Sequence, residues 1–187
     1  MESGSTRRVA DDSPVDWQEA VLKWAEAGRP VLERVARTWG AYVTYGEIAE
    51  LVQLDSGIKT AVPFRHWIGR VLGTLARQEQ SGEPLLTSLV VRANGTIGDG
   101  YIVPIRERGE PDPTDLELHA ARERVRCYRY FGATIPRNAA EEVFTKSVAA
   151  RRARANSSSR RNAQPARAVC ATCFVQLPLS GDCGNCD

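Results

Sequence analysis

Four of the five cysteines fall in the last eighteen residues, as two CxxC pairs, Cys170-Ala-Thr-Cys173 and Cys183-Gly-Asn-Cys186, nine residues apart. A CxxC turn brings two thiolates onto one side of a tight knuckle. Two such knuckles make the tetrahedral four-sulfur cage that zinc prefers. The segment between them, Phe174 to Asp182, is too short to build an apolar core, so metal ligation has to hold this tail together. Two disulfides would suit a secreted chain, and a redox CxxC usually sits singly on a larger thioredoxin-like domain; neither context is visible here. Four cysteines close the coordination shell, whereas a catalytic zinc needs an open position. The expected cofactor is therefore structural zinc on Cys170, Cys173, Cys183 and Cys186.

The remaining chemistry is cationic. Residues 1–142 hold 18 Lys and Arg against 21 Asp and Glu, a net of −3; residues 143–187 hold 7 against 2, a net of +5. A basic tail on a near-neutral body points to an anionic partner. The 187 residues suit one main domain with a small appendage, and 42% hydrophobic content supports a modest core. No apolar run approaches the roughly 20 residues of a membrane helix. The start, Met1 to Arg8, leads into acidic residues and not into an apolar signal region. A cytoplasmic or nucleoid-associated protein with no membrane partner is expected, its thiols reduced and open to metal.

The expected architecture is mainly α with a small β-hairpin. Residues 1–13 read as a disordered N-terminus. Residues 14–108 hold a helical lead-in and a helix-turn-helix with a wing. Pro14 follows Ser13 as a helix start, Trp17, Val21 and Trp24 keep helical spacing, Gly28 and Pro30 punctuate, and a second stretch runs to Gly40. Thr44 and Glu47 form a capping box for a helix ending at Asp55-Ser56-Gly57. A longer helix runs from Pro63 to about Gln80, with His66, Gly69, Arg70, Gly73 and Arg77 on its outer face. Leu85 to Arg92 reads as a strand and Asn94-Gly95 as a hairpin turn. Residues 109–150 hold C-terminal helices, one capped by Thr114 or Asp115 and one near Ala139–Ala150. Residues 151–168 read as a flexible basic linker, and 169–187 as the zinc ribbon.

Tyr42 to Tyr101 resembles the winged helix-turn-helix of the alkylguanine-DNA alkyltransferases and their inactive alkyltransferase-like relatives. The resemblance rests on Tyr45-Gly46-Glu47-Ile48-Ala49, on His66-Trp67-Ile68-Gly69-Arg70-Val71, and on Val90-Val91 followed by Gly98-Asp99-Gly100-Tyr101. It covers about sixty residues, a third of the chain, and implies a recognition helix in the minor groove, with Tyr45 contacting the DNA backbone. Two departures matter. Where the family carries Pro-Cys-His-Arg, this chain reads Leu86-Thr87-Ser88-Leu89, with no thiol to accept an alkyl group and no histidine to activate one. The family's base-flipping arginine aligns with His66, while Arg65 stands one residue away, about 100° around a helix. Cys127 lies outside the motif and reads as a buried apolar filler.

The expectation is a non-enzymatic protein that binds duplex DNA. Thr44 and Tyr45 offer hydroxyls and amides at a helix N-terminus; Arg65, His66, Arg70 and Arg77 line the third helix; Arg92 and Asn94 sit on the wing. Arg151, Arg152, Arg154, Arg160 and Arg161 add sequence-independent attraction. The alternatives are a core role for Tyr45, a solvated face for the arginines, and a packing role for the glycines. At the level of function they are a protein-interaction adaptor, with a partner on the zinc ribbon, and an RNA-binding accessory factor. An enzyme would have only His66, His119 and acids such as Asp99 to work with.

Overall fold

The computed structural model describes residues 6–80, 82–162, 169–175, 177, 183 and 186, with the backbone alone over 158–162. The chain divides into two compact units, Met1–Val148 and Ala149–Asp187. The larger unit is mainly α.

Helix α1 (Trp17–Ala36) starts on Asp16, whose carboxylate accepts the N–H groups of Gln18 at 2.8 Å and Glu19 at 3.2 Å. The start expected at Ser13-Pro14 is displaced, because Pro14 is bridged antiparallel to Arg7. The helix also runs unbroken through Gly28 and Pro30, where two stretches were expected. An interior proline costs about 3 kcal/mol. Burying Trp24, Val31 and Leu32 returns about 1.5–3 kcal/mol each. Gly28 serves packing: a Cβ there would stand 3.3 Å from Val52 and 3.4 Å from Leu75, side chains of the two helices that α1 crosses.

Helix α2 (Tyr45–Ser56) has the predicted capping box, Thr44 with Glu47, and stops at Gly57 in the left-handed region. Strand β1 (Thr6–Arg8) pairs antiparallel with β3 (Ile58–Thr60), in register Thr6↔Thr60 and Arg8↔Ile58. Residues 6–8 are thus ordered where disorder was expected; Thr6 is buried, and its carbonyl accepts the Val15 N–H at 3.0 Å. Residues 1–5 lie outside the described residues.

The expected long third helix is a 3-10 turn, Phe64–His66, followed by α3 (Ile68–Arg77). Trp67 at the junction is buried against Trp24, rings 4.4 Å apart, and donates its indole N–H to the Val62 carbonyl at 3.0 Å. The expected strand over 85–92 is instead a 3-10 turn, Leu86–Leu89, and a two-residue strand β4 (Val90–Val91) parallel to β2 (Val43–Thr44). Carboxylates, not a neighbouring strand, take the amides there: Leu85 N–H donates to Glu123 and Leu86 N–H to Glu79, each at 2.9 Å.

The Asn94-Gly95 turn forms, with Gly95 at φ +80° and a single antiparallel bridge, Val91↔Ile97. Its tip is covered. Ser147 and Thr145 donate their hydroxyls to the carbonyls of Asn94 and Gly95, both at 2.7 Å.

Helices α4 (Ile102–Glu107) and α5 (Leu116–Tyr130) complete the body, α5 capped by Asp115 through the Leu118 N–H at 2.9 Å. Leu85, Ile97, Tyr101, Ile105 and Ala120 form a second apolar cluster there. Buried Arg124 and Cys127 of α5 pack on the 3-10 turn; Arg124 donates to the Ser88 carbonyl at 2.8 Å. Burial pushes the Cys127 thiol up to about 12, in keeping with a filler role.

Helix α6 (Lys146–Asn162) replaces both the short helix near 139–150 and most of the flexible linker. The Thr145 hydroxyl accepts the Val148 N–H at 3.4 Å, an N-cap, and Ala and Arg are strong helix formers. Its one large apolar residue, Val148, makes no stripe, so no apolar face announces the helix. Residues 163–168 lie outside the described residues. No described helix is long and apolar enough to cross a membrane.

Candidate nucleic-acid interface and metal centre

In the smaller unit, Cys170, Cys173, Cys183 and Cys186 each offer one sulfur, and the four sulfurs lie within 4.8 Å of one another. All are free thiols. Cys170 and Cys186 stand 3.8 Å apart, Cys173 and Cys183 3.4 Å. Metal–sulfur bonds of about 2.3 Å at tetrahedral angles place sulfurs about 3.8 Å apart, so the donor set fits a metal ion such as zinc. The first knuckle is closed by Phe174 N–H to the Cys170 carbonyl and Cys170 N–H to the Val175 carbonyl, each at 2.9 Å, with Phe174 in the left-handed region. The backbone amides of Cys173 and Thr172 pull Cys170 down to about 6, and the Val175 amide lowers Cys173. These amides stabilise thiolate, the form that binds metal. Of the apolar residues that follow, Phe174 is 79% exposed and Val175 is exposed too, while Pro178 and Leu179 lie outside the described residues.

In the larger unit the sequence-predicted DNA residues separate into two groups. Arg65 and His66 on the 3-10 turn and Arg70 on α3 are exposed, and none of the three side chains has a hydrogen bond or ion pair among the described residues. The others are engaged. Arg77 pairs with Glu107 at 3.4 Å, and Arg92 with Asp99 at 2.6 Å. The Thr44 amide and hydroxyl both donate to the Glu47 carboxylate, at 2.7 and 2.8 Å, so neither is free for a phosphate as expected. The Asn94 carboxamide accepts the Thr96 N–H at 3.0 Å, inside the covered turn. Tyr45 is partly buried against the main core, as the packing alternative required, and its hydroxyl lies against Gly98, where a Cβ would collide with it. Desolvation raises its pKa. Arg151, Arg152 and Arg154 lie on α6; the side chains of Arg160 and Arg161 lie outside the described residues.

A cavity of about 600 Å³ opens beside this face. Its lining includes Trp17 from α1, Tyr45 at the start of α2, Arg70 and Arg77 from α3, Thr87 from the 3-10 turn, and Tyr101. Trp17 and Thr87 were not foreseen as site residues: Trp17 carries only a helical core spacing, and Thr87 stands out only as lying in the stretch where a nucleophile is missing. Two of the lining residues, Trp17 and Thr87, also carry a polar atom, Nε1 and Oγ1, that is buried from solvent without a partner among the described residues. Thr87 as a whole is 6% exposed. Gly69 leaves the α3 backbone open, since a Cβ there would meet nothing within 4 Å, whereas one at Gly73 would stand 3.6 Å from the Arg77 guanidinium. Taken together, the face places three exposed cationic side chains without a partner among the described residues beside a cavity with aromatic lining. No protein-family model matches the chain, and no curated protein or solved structure matches it.

Proposed function

We propose that the larger unit is a non-enzymatic DNA-binding module of winged helix-turn-helix type, which meets duplex phosphates with Arg65, His66 and Arg70 and admits one base to the adjoining cavity. The observation that carries this is the convergence of Tyr45, Arg70 and Thr87, from three separate elements, on one cavity beside an unpaired basic edge. The alkyltransferase-like resemblance lends support, since Thr87 belongs to the stretch that stands where that family keeps its nucleophile. A threonine without a neighbouring base is a poor nucleophile, which favours binding over group transfer. Volume also agrees, because small-molecule sites run from about 300 to 1,000 Å³. Cationic α6 adds sequence-independent attraction. In the smaller unit the four cysteines hold structural zinc as a ribbon, and the exposed Phe174 and Val175 favour a protein as its partner.

The test is a salt series of fluorescence anisotropy with the full chain on duplex DNA, in competition with a structured RNA. Binding at low salt that weakens linearly with log salt is expected, with RNA the poorer competitor. Absence of any duplex binding at low salt would favour the adaptor role, and stronger competition by RNA would favour the accessory-factor role. An alkyl adduct on the protein, seen by mass spectrometry after incubation with alkylated DNA, would overturn the non-enzymatic part.

A further inference from the structure

We infer that Phe174 is the anchor of a docking surface on the first cysteine knuckle, formed with Val169 and Val175 when zinc is bound, and that its partner is a protein presenting an apolar pocket rimmed by lysine or arginine. This rests on the proposed reading of the smaller unit as a structural zinc ribbon with a protein partner. It adds the anchor, its dependence on the metal and the chemistry of the partner surface.

The Phe174 side chain is 79% exposed, so its ring adds nothing to a core. Its backbone stands at φ +58°, a left-handed conformation that strains any residue with a Cβ and that glycine adopts freely. A bulky residue there is an outlier. The turn itself uses only backbone groups: the Phe174 N–H donates to the Cys170 carbonyl and the Cys170 N–H to the Val175 carbonyl, both at 2.9 Å. Glycine at 174 would make the same bonds. Strain retained where the side chain does not serve the fold is a mark of function. The knuckle thus holds an aromatic ring rigidly out to solvent. Val169 and Val175 are exposed as well, next to the two ends of the Cys170–Val175 hydrogen bond. Three large apolar side chains left bare on one small turn make the kind of patch that a partner covers.

Charge sets the chemistry of that partner. Residues 169–187 contain Asp182 and Asp187 and no Lys, Arg or His. Four thiolates on one divalent ion leave two negative charges, and the two aspartates bring the segment to four. Aromatic rings also stack on bases, but an anionic knuckle repels phosphate, which favours a protein over a nucleic acid as the surface that meets Phe174. A basic rim complements the knuckle, and an aromatic anchor seated in an apolar pocket is the usual centre of such an interface. The metal enters through the turn, because a segment this short has too little core to hold Phe174 in place without it.

The experiment uses the full chain and a displayed library of random peptides. Peptides that bind the Phe174→Gly chain are removed first, which discards those that recognise the cationic α6 or the larger unit. The remainder are selected on zinc-loaded wild type. Survivors are expected to combine apolar residues with Lys or Arg. They should bind wild type at least about tenfold more tightly than Phe174→Gly, and lose as much when a chelator strips the metal. Phe174→Gly removes the ring and relaxes the backbone, so its zinc affinity in a chelator competition should equal or exceed that of wild type. A weaker zinc affinity would give Phe174 a structural role and overturn the inference. So would survivors that are mainly acidic, survivors indifferent to the metal, or no survivors at all. If the substitution instead weakens binding of a single-stranded oligonucleotide, the surface belongs to a nucleic acid and the inference falls. A chain that takes up no zinc overturns the ribbon reading as well, whereas a zinc-loaded chain that fails the other tests overturns the inference alone.

Discussion

An arginine serves as a phosphate ligand when no carboxylate already holds it. By that measure Arg70 is ready and Arg92 is not, because Asp99 engages Arg92 at 2.6 Å. Replacing Arg70 with alanine should weaken duplex binding across sequences and lower the slope of log affinity against log salt by about 1. Asp99→Asn should act in the opposite sense, freeing Arg92 and steepening that slope by about 1. Exposed ion pairs are weak, so its gain in affinity should stay within about fivefold. Anisotropy at four or five salt concentrations measures both. The thiols offer a second residue-scale check. Cys127 is buried and pushed up to about 12, so iodoacetamide at pH 8 should leave it unmodified in the folded chain. Chelation should open the other four cysteines, which mass spectrometry can count.

Among the elements, Glu79 joins three. It follows α3, accepts the Leu86 N–H that opens the turn bearing Thr87, and accepts Arg108 at the end of α4 at 2.6 Å. Burial raises its carboxyl to about 7, against the favourable effects of the Leu86 amide and Arg108. A raised carboxyl binds its proton more tightly in the folded state than in the unfolded one. Stability from this group is therefore greatest below the unfolded value near 4.5 and falls as pH rises towards about 7, then levels. Melting temperatures between pH 4.5 and 7.5 should follow that slope, and Glu79→Gln should flatten it. The turn at Gly95 joins two further elements. Its positive φ and the Ser147 and Thr145 hydroxyls packed against it leave no room for a Cβ. Gly95→Ala should destabilise by about 1–3 kcal/mol and reduce the helical signal of α6, and Ser147→Ala in the same chain should recover part of the loss.

For the molecule as a whole, the chain divides into two compact units, and the proposed reading gives each its own role. Zinc should be present at one ion per chain and disappear with Cys173→Ser, while the main thermal transition and duplex affinity of the larger unit change little. Atomic emission and calorimetry on the same samples test this. A chain ending at Val148 keeps Thr145 and Ser147 over the turn and loses Arg151 to Arg161. It should bind duplex with a shallower salt dependence yet keep any preference the cavity confers.

Much of this was legible beforehand wherever the physics is short-ranged. The Thr44–Glu47 capping box, the Asp115 cap, the core spacing of Trp17, Val21 and Trp24, and the two CxxC pairs all follow from residues within a few positions of one another. The covering of the Asn94-Gly95 turn, the 3-10 turn in place of a strand at Leu86–Leu89, and the pairing of Arg77 and Arg92 were not legible. Each depends on a partner brought in by the fold: Ser147 on Asn94, Glu123 on Leu85, Glu107 on Arg77. The same holds for Trp17 and Thr87, whose polar atoms the fold buries without a partner among the described residues. Local propensity carries information along the chain. The satisfaction of a buried donor depends on distant acceptors, and those are assigned only when the chain packs.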